Sequence, residues 1–358
     1  MRRISRRAIA RGTLGFSISI VAIWILLRSV DIGAAFQVLG SASPAWIAVM
    51  IVTASLDVAT RGARWRALLA PIAALPYRRV LGYTYLGYLA NNVLPARLGE
   101  LYRSHALGER EGISRTTVLG TVVVERVVDT VMVVAIASLA VVILSVRGTM
   151  SSAALLGLAF VALLVIILGL GIAAHRLPGT DRVRAIFKRR PRLLELARRL
   201  RDGLAVAGRP RTLGTALLFS VLAWSASTLT FLAAGQAVGI QLNVSQAALL
   251  TSGVALATII PSGPGYLGTF ELTAVGIANG FGVPRDEAFA MGLLVHAVIL
   301  LVTTVGGVIA AIRLGIGRPR PTTTDEADEA TEADEADEAE TTTAVATTAT
   351  DEVATARP

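Results

Sequence analysis

Three ionisable residues interrupt the apolar run TVVVERVVDTVMVV at 121–134: Glu125, Arg126 and Asp129. Residues of these types can bind a charged group or pass a proton. A charge at the centre of a bilayer-spanning helix costs roughly 2.5–3.5 kcal/mol on insertion scales, so it faces a partner or a wet cavity. Glu125 and Asp129 stand four apart and share a helical face, and Arg126 reaches Asp129 at i+3. The trio sums to −1 and needs one more cation, for which Arg97 and Arg103 are the natural candidates. A structural ion-pair knot and a cavity wall that handles headgroups or protons both fit these residues.

Two further stretches place polar residues and helix breakers between apolar flanks. NNVLPARLGELYR (91–103) holds Asn91, Pro95, Arg97, Glu100 and Arg103. ATIIPSGPGYLGTFE (257–271) holds Pro261, Gly263, Pro264, Gly265, Gly268 and Glu271. Non-helical backbone at membrane depth survives only when buried in protein or lining a wet cavity. Such breaks free N–H and C=O groups to face a substrate. RGARWR (61–66) is a weaker signal. Arginine beside tryptophan at a helix end is ordinary interface anchoring, although Arg64 and Arg66 could also grip a lipid phosphate bidentately.

The elements that position these residues follow from composition. The chain has 358 residues, is 54% hydrophobic and has a mean hydropathy of +0.64. Apolar runs near 13–30, 45–60, 116–146, 152–174, 212–236 and 288–312 approach or exceed the roughly 20 residues that cross about 30 Å of hydrocarbon. The expected fold is an all-α polytopic membrane protein, because continuous rather than alternating runs argue against a β-barrel.

Positive charge marks the cytoplasmic side. Five arginines precede Gly12, residues 175–211 carry twelve bases, and Arg313, Arg318 and Arg320 follow the last run, so both termini are expected inside. This assignment makes 80–115 leave and return on one face and 246–287 do the same from the other. Each is either a re-entrant hairpin or a pair of short spans. The expectation is six full spans plus two such hairpins, about eight elements, arranged as an inverted repeat. Paired Gly/Pro breaks in inverted halves point to a midplane substrate site.

The expected domains are a basic N-terminus (1–12), a membrane body (13–315) and a tail (316–358). Within the body, 175–211 reads as a basic amphipathic segment on an anionic leaflet, its helix beginning at Pro191. Residues 322–358 hold twelve acids and one base, which leaves 33 bases against 13 acids before them. That low-complexity tail is expected to be disordered, for lack of apolar surface to bury. Cysteine is absent, and His105, His175 and His296 stand apart, which suits structural roles rather than metal ligation. Neither a metal, a cofactor nor a nucleic-acid partner is expected, and no Walker-type loop appears.

Together RGARWRALL, NNVLPARLGELYRSHAL, SRTTVLGTVVVERVVDTV and IIPSGPGYLGTFE resemble the lysylphosphatidylglycerol synthase transmembrane-region family, also called flippase-like. The resemblance covers about residues 10–315. It implies the membrane part of the multiple peptide resistance factor, standing alone without the soluble aminoacyl-transfer domain. What it implies is a non-enzymatic translocase for an anionic, aminoacylated or polyprenyl-linked lipid in a prokaryotic plasma membrane, with homo-oligomerisation open. Arg97 and Arg103 would meet phosphate or acidic groups. Glu100, Glu125, Asp129 and Glu271 would meet an amine or carry protons, with Asn91, Arg126, Gly263, Pro264 and Gly265 completing the cavity. The alternatives are a subunit or enzyme of lipid-carrier glycosyl or aminoacyl transfer, and a non-transporting accessory protein.

Overall fold

Lipid offers no partner for backbone N–H and C=O groups, so apolar runs satisfy them internally as helices. The computed structural model describes residues 6–94, 98–144, 205–260 and 262–316. The chain divides into two units, residues 1–314 and 315–358, and of the second only residues 315 and 316 are described. The described residues form α-helices, short 3₁₀ turns and no strand. In chain order the helices are α1 (Arg6–Ser29), α2 (Ile32–Gly40), α3 (Pro44–Leu69), α4 (Tyr77–Val93) and α5 (Gly99–Arg110). They continue with α6 (Arg115–Ile143), α7 (Pro210–Ala237), α8 (Val244–Ala257), α9 (Thr269–Asn279) and α10 (Arg285–Arg313).

Four of these, α3, α6, α7 and α10, are 26–29 residues long and apolar enough to cross a membrane. A fifth candidate is the pair α1–α2, bent by 86° between Ser29 and Ile32. There Asp31 caps α2 by accepting from Ala34 N–H, and Asp286 accepts from the N–H of Asp31 itself. The chain is thus a polytopic α-helical membrane protein. The expected span 152–174, the amphipathic segment before residue 205 and the tail beyond residue 316 lie outside the described residues.

One sequence expectation needs correction. RGARWR does stand at the end of a helix, with Arg66 in the last turn of α3, but Arg64 and Trp65 are buried inside the protein and do not face an interface. Helix α3 runs through it to Leu69, and Trp65 is fully buried with its indole N–H donating to Thr121 Oγ1 at 3.1 Å. Arg61 and Arg64 are buried there because they find carboxylates inside the protein.

Helix α3 packs along α7. The start of α3 is tied to the end of α7 by Ser43 N–H donating to Ala237 C=O, and Thr53 and Thr230 share a hydrogen bond of 2.9 Å midway. Small side chains at Ala54, Ala226, Ala233 and Ala234 let the two backbones approach, as association in lipid requires. Around them a core joins Met50, Phe231, Leu250, Phe270, Met291 and Val295 from α3, α7, α8, α9 and α10.

Both break segments are helix–break–helix hairpins. In the first, Tyr83 hydroxyl donates to Glu111, Gly87 faces Gly99 and Arg103, and Asn91 Oδ1 accepts from Gly99 N–H at 2.8 Å. This register makes α4 and α5 antiparallel. In the second, Gly253 of α8 faces Ile277 of α9, while Leu249 clusters with Ile277 and Phe281. The intervening turn Pro264–Tyr266 packs against α4, bringing the second break to the helix that leads into the first. Helix α4 also lies on α10, where Gly306 and Gly307 receive Tyr85 and Leu89, and Asn92 donates to Thr303 and Thr304.

A Cβ added at Gly99 would fall on the Gly87 carbonyl oxygen and the Asn91 amide, whereas one at Gly276 meets nothing within 4 Å. Gly99→Ala is therefore expected to cost about 1–3 kcal/mol through overpacking. Gly276→Ala is expected to be neutral or stabilising. Thermal unfolding of both variants in detergent checks the contrast.

Candidate functional site

Charges buried in hydrocarbon must be neutralised where they stand. Arg64 sits at the centre of this neutralisation, with 0% side-chain exposure. Its Nη1 donates to Asp129 Oδ1 at 2.5 Å and to Ser220 Oγ at 3.0 Å. Its Nη2 donates to Glu125 Oε1 at 2.7 Å and Asp129 Oδ2 at 3.1 Å. One guanidinium therefore holds both carboxylates of α6 to α3. The planar fork suits this task, since five N–H donors reach two acceptors at once.

Three more arginines close the cluster. Arg103 of α5 donates to Glu125 Oε2 at 2.5 Å and lies over the Trp65 ring at 4.3 Å. Arg61, one turn before Arg64, binds Asp57 at 2.8 Å and Asp129 at 3.4 Å, and stacks on Trp224. Arg126 reaches Asp129 at 3.0 Å and approaches Glu100 at 3.9 Å, with 46% of its side chain exposed. Four bases (Arg61, Arg64, Arg103, Arg126) meet four acids (Asp57, Glu100, Glu125, Asp129), so the cluster is formally neutral.

The cluster forms one wall of a cavity of about 310 Å³, where Asp57, Arg61, Glu100, Arg103, Arg126 and Asp129 all contribute to the lining. Tyr88, Asn91 and Asn92 line it from α4, and Thr258, Tyr266, His296 and Thr303 from the second break and α10. Tyr266 has φ 61° directly after Gly265 at φ 65°. A non-glycine residue in that region is strained, and such strain is tolerated where surrounding packing imposes it.

A second polar pair reaches the cavity through His296. His296 Nδ1 lies 2.5 Å from Glu271 Oε1, and Phe270 stacks on the imidazole at 4.3 Å between centroids. Glu271 Oε2 accepts from Gly268 N–H at 2.7 Å, which fastens the start of α9.

Of the residues expected to form a substrate site, Asn91, Glu100, Arg103, Arg126 and Asp129 line the cavity. Arg97 lies outside the described residues. Glu125 and Glu271 stand behind the wall, each holding a side chain that does reach it: Arg103 in one case, His296 in the other. Gly263, Pro264 and Gly265 shape the turn without lining the cavity, and Gly263 N–H donates to Ser19 of α1. Arg64 is spent on carboxylates, and Arg66 is exposed, its Nε donating to Leu75 C=O. The sequence reading missed Asp57, Arg61, Trp224 and His296. Asp57 and Arg61 could have been found as an i,i+4 acid–base pair within an otherwise apolar run. His296 carried no such signal, because its partner lies 25 residues away.

The family described as lysylphosphatidylglycerol synthase TM region matches residues 12–307. Among curated proteins, a relative named glycosyltransferase AglD, from Haloferax volcanii, is 27% identical over 352 residues, covering 88% of this chain and 56% of the relative. The chain thus spans a little over half the length of that protein. Its name corrects one expectation: a protein without enzymatic activity was anticipated, whereas the relative is named as an enzyme.

Removing one partner of a buried ion pair leaves an uncompensated charge, at a cost of about 3–5 kcal/mol. Arg64→Ala is expected to pay that full cost. Arg126→Ala, at the wetter edge, is expected to lose at most about 1 kcal/mol. Melting of the two variants in the same detergent tests this order, and equal losses would show that exposure does not govern it.

Proposed function

This chain belongs to the lysylphosphatidylglycerol synthase transmembrane-region family, and from that premise we propose that its cavity takes up the phosphate-bearing headgroup of a membrane lipid and passes it between leaflets. The observation that carries this reading is Arg126. Its guanidinium is nearly half exposed, lines the cavity and sits on a cluster already balanced from behind. An incoming phosphate would thus gain a charge-assisted, bidentate partner in competition with Glu100, which stands 3.9 Å from Arg126. Asp129 would keep Arg61 and Arg64.

The cavity volume, about 310 Å³, is at the lower end of the range for small-molecule pockets. It suits a headgroup, with the acyl or prenyl chains remaining in lipid. Antiparallel hairpins meeting at one cavity support the inverted-repeat reading, in which each half contributes one broken element. The arginine distribution supports both termini being cytoplasmic, and a prokaryotic plasma membrane is part of the same proposal. The division into 1–12, 13–315 and 316–358 belongs to the same proposal.

A second reading is favoured by the relative's name: the cavity would hold a lipid carrier during glycosyl transfer. Both readings share the first step, seating of a phosphate beside Arg126.

Reconstituted protein is expected to accelerate exchange of a fluorescent anionic phospholipid across liposomes, read by dithionite quenching. Arg126→Ala is expected to slow it at least about tenfold, the scale of a charged hydrogen bond. If nothing moves, but labelled sugar passes from a nucleotide donor to polyprenyl phosphate in these membranes, the conclusion shifts to the second reading. If neither activity appears, both readings fall.

A further inference from the structure

An anion that enters hydrocarbon has to be balanced there, and the cavity wall holds no spare positive charge. Its four arginines already meet four carboxylates, so seating one phosphodiester leaves the cluster one negative charge in excess. Charge left uncompensated at that depth is costly. Neutrality can be restored by a proton, by a metal cation or by an amine carried on the headgroup. The wall itself shows which of its acids is free to take a proton.

The four acids are not held alike. Asp129 has Arg61, Arg64 and Arg126 within 3.4 Å. Glu125 has Arg64 at 2.7 Å and Arg103 at 2.5 Å, and Asp57 has Arg61 at 2.8 Å. Among the described residues Glu100 has Arg126 alone, at 3.9 Å, which is too long for a direct hydrogen bond. Its side chain is also the most exposed of the four, at 24%, and it lines the cavity. The arginine on which Glu100 depends is therefore the one open to a ligand. A phosphate on Arg126 withdraws that partner and brings a second negative charge beside the first.

The surrounding groups leave this role to Glu100. Helix α5 packs on α4 and α6. From α6 come Glu125, Arg126 and Asp129, and from α4 the titratable residue in the lining is Tyr88, a type ordinarily neutral at pH 7. Elsewhere in the lining α3 adds Asp57 and Arg61, and α10 adds His296, whose Nδ1 is held by Glu271. On α5 itself Arg103 is bound to Glu125, and His105 is paired with Glu109, which also meets Arg115. When Arg126 turns to a phosphate, Asp57, Glu125 and Asp129 each keep an arginine, and Glu100 keeps none among the described residues.

We propose that Glu100 is a proton-binding site coupled to the cavity: it takes up one proton when a net-anionic phosphodiester occupies Arg126, and releases it when the ligand leaves. This rests on the cavity being a headgroup site. The balance closes, because one proton enters with one negative charge and the wall stays neutral. A lipid anion then moves with its proton as an electroneutral unit. A zwitterionic headgroup brings its own cation and needs no proton.

The test titrates the full chain in detergent with two short-chain lipids, phosphatidylglycerol, which is a net anion, and phosphatidylcholine, which is net neutral. Calorimetry at pH 6 in buffers of different ionisation heat counts the protons. The native protein is expected to take up between about half and one proton per phosphatidylglycerol and none per phosphatidylcholine. Because the proton binds together with the anion, affinity for phosphatidylglycerol is expected to strengthen as pH falls from 8 to 6, by up to about tenfold per pH unit. Glu100→Gln removes both the competitor for Arg126 and the proton acceptor. This variant is expected to bind phosphatidylglycerol about tenfold more tightly than the native protein at pH 8, with no proton uptake and no pH dependence. A purely structural role for Glu100 would weaken binding instead. Native binding without proton uptake, uptake that survives Glu100→Gln, or binding that follows sodium concentration rather than pH overturns the proposal. An affinity that is independent of pH but lost in Arg126→Ala removes the proton coupling alone. If phosphatidylglycerol does not bind and Arg126→Ala changes nothing, the headgroup reading beneath it falls.

Discussion

Charge in hydrocarbon has to be cancelled locally, and this requirement organises the centre of the molecule. Arg64 answers it for α6 by holding Glu125 and Asp129 at once, with no exposure to solvent. Because the two acids are four residues apart, they fall on one face, and a single planar fork reaches both. The consequences spread outward. Arg103 must come from α5 to complete Glu125, which pulls the first hairpin against α6. Arg61 and Arg126 complete Asp129 and in doing so form the cavity wall. The helices that carry these residues are joined by electrostatics as much as by apolar contact, since lipid tails compete with leucine for apolar surfaces but not for a carboxylate.

The two breaks obey a parallel rule for the backbone. Each hairpin interrupts a helix where water is scarce, and each supplies its own acceptors for the freed N–H groups. Asn91 serves Gly99, Glu271 serves Gly268, and Ser19 serves Gly263. Polar residues in the breaks are thus engaged first by the chain itself. The cavity lining includes both Arg126 and His296.

The dyad of Glu271 and His296 also shows how packing converts a common residue into a specific one. Stacking on Phe270 fixes the ring plane, and the Glu271 carboxylate holds Nδ1.

Much of this was legible in the order of residues. Run length and hydropathy identified the long helices, because crossing hydrocarbon is a matter of counting residues. Glu125, Arg126 and Asp129 announced a polar site by their cost in an apolar run, and the two Gly/Pro segments marked where helices break. The need for another cation beside Glu125 followed from the trio's charge, and Arg103 meets it. What the order of residues left open was partnership across helices. RGARWR resembled an interfacial belt because nothing nearby in sequence offers Arg64 a carboxylate, and its partners lie 61 and 65 residues away. His296 looked like an isolated core histidine for the same reason, its carboxylate standing on another helix. A periodic pattern records which face a residue occupies, but only folding decides what that face meets, and the chemistry of a buried charge is set by its neighbour in space.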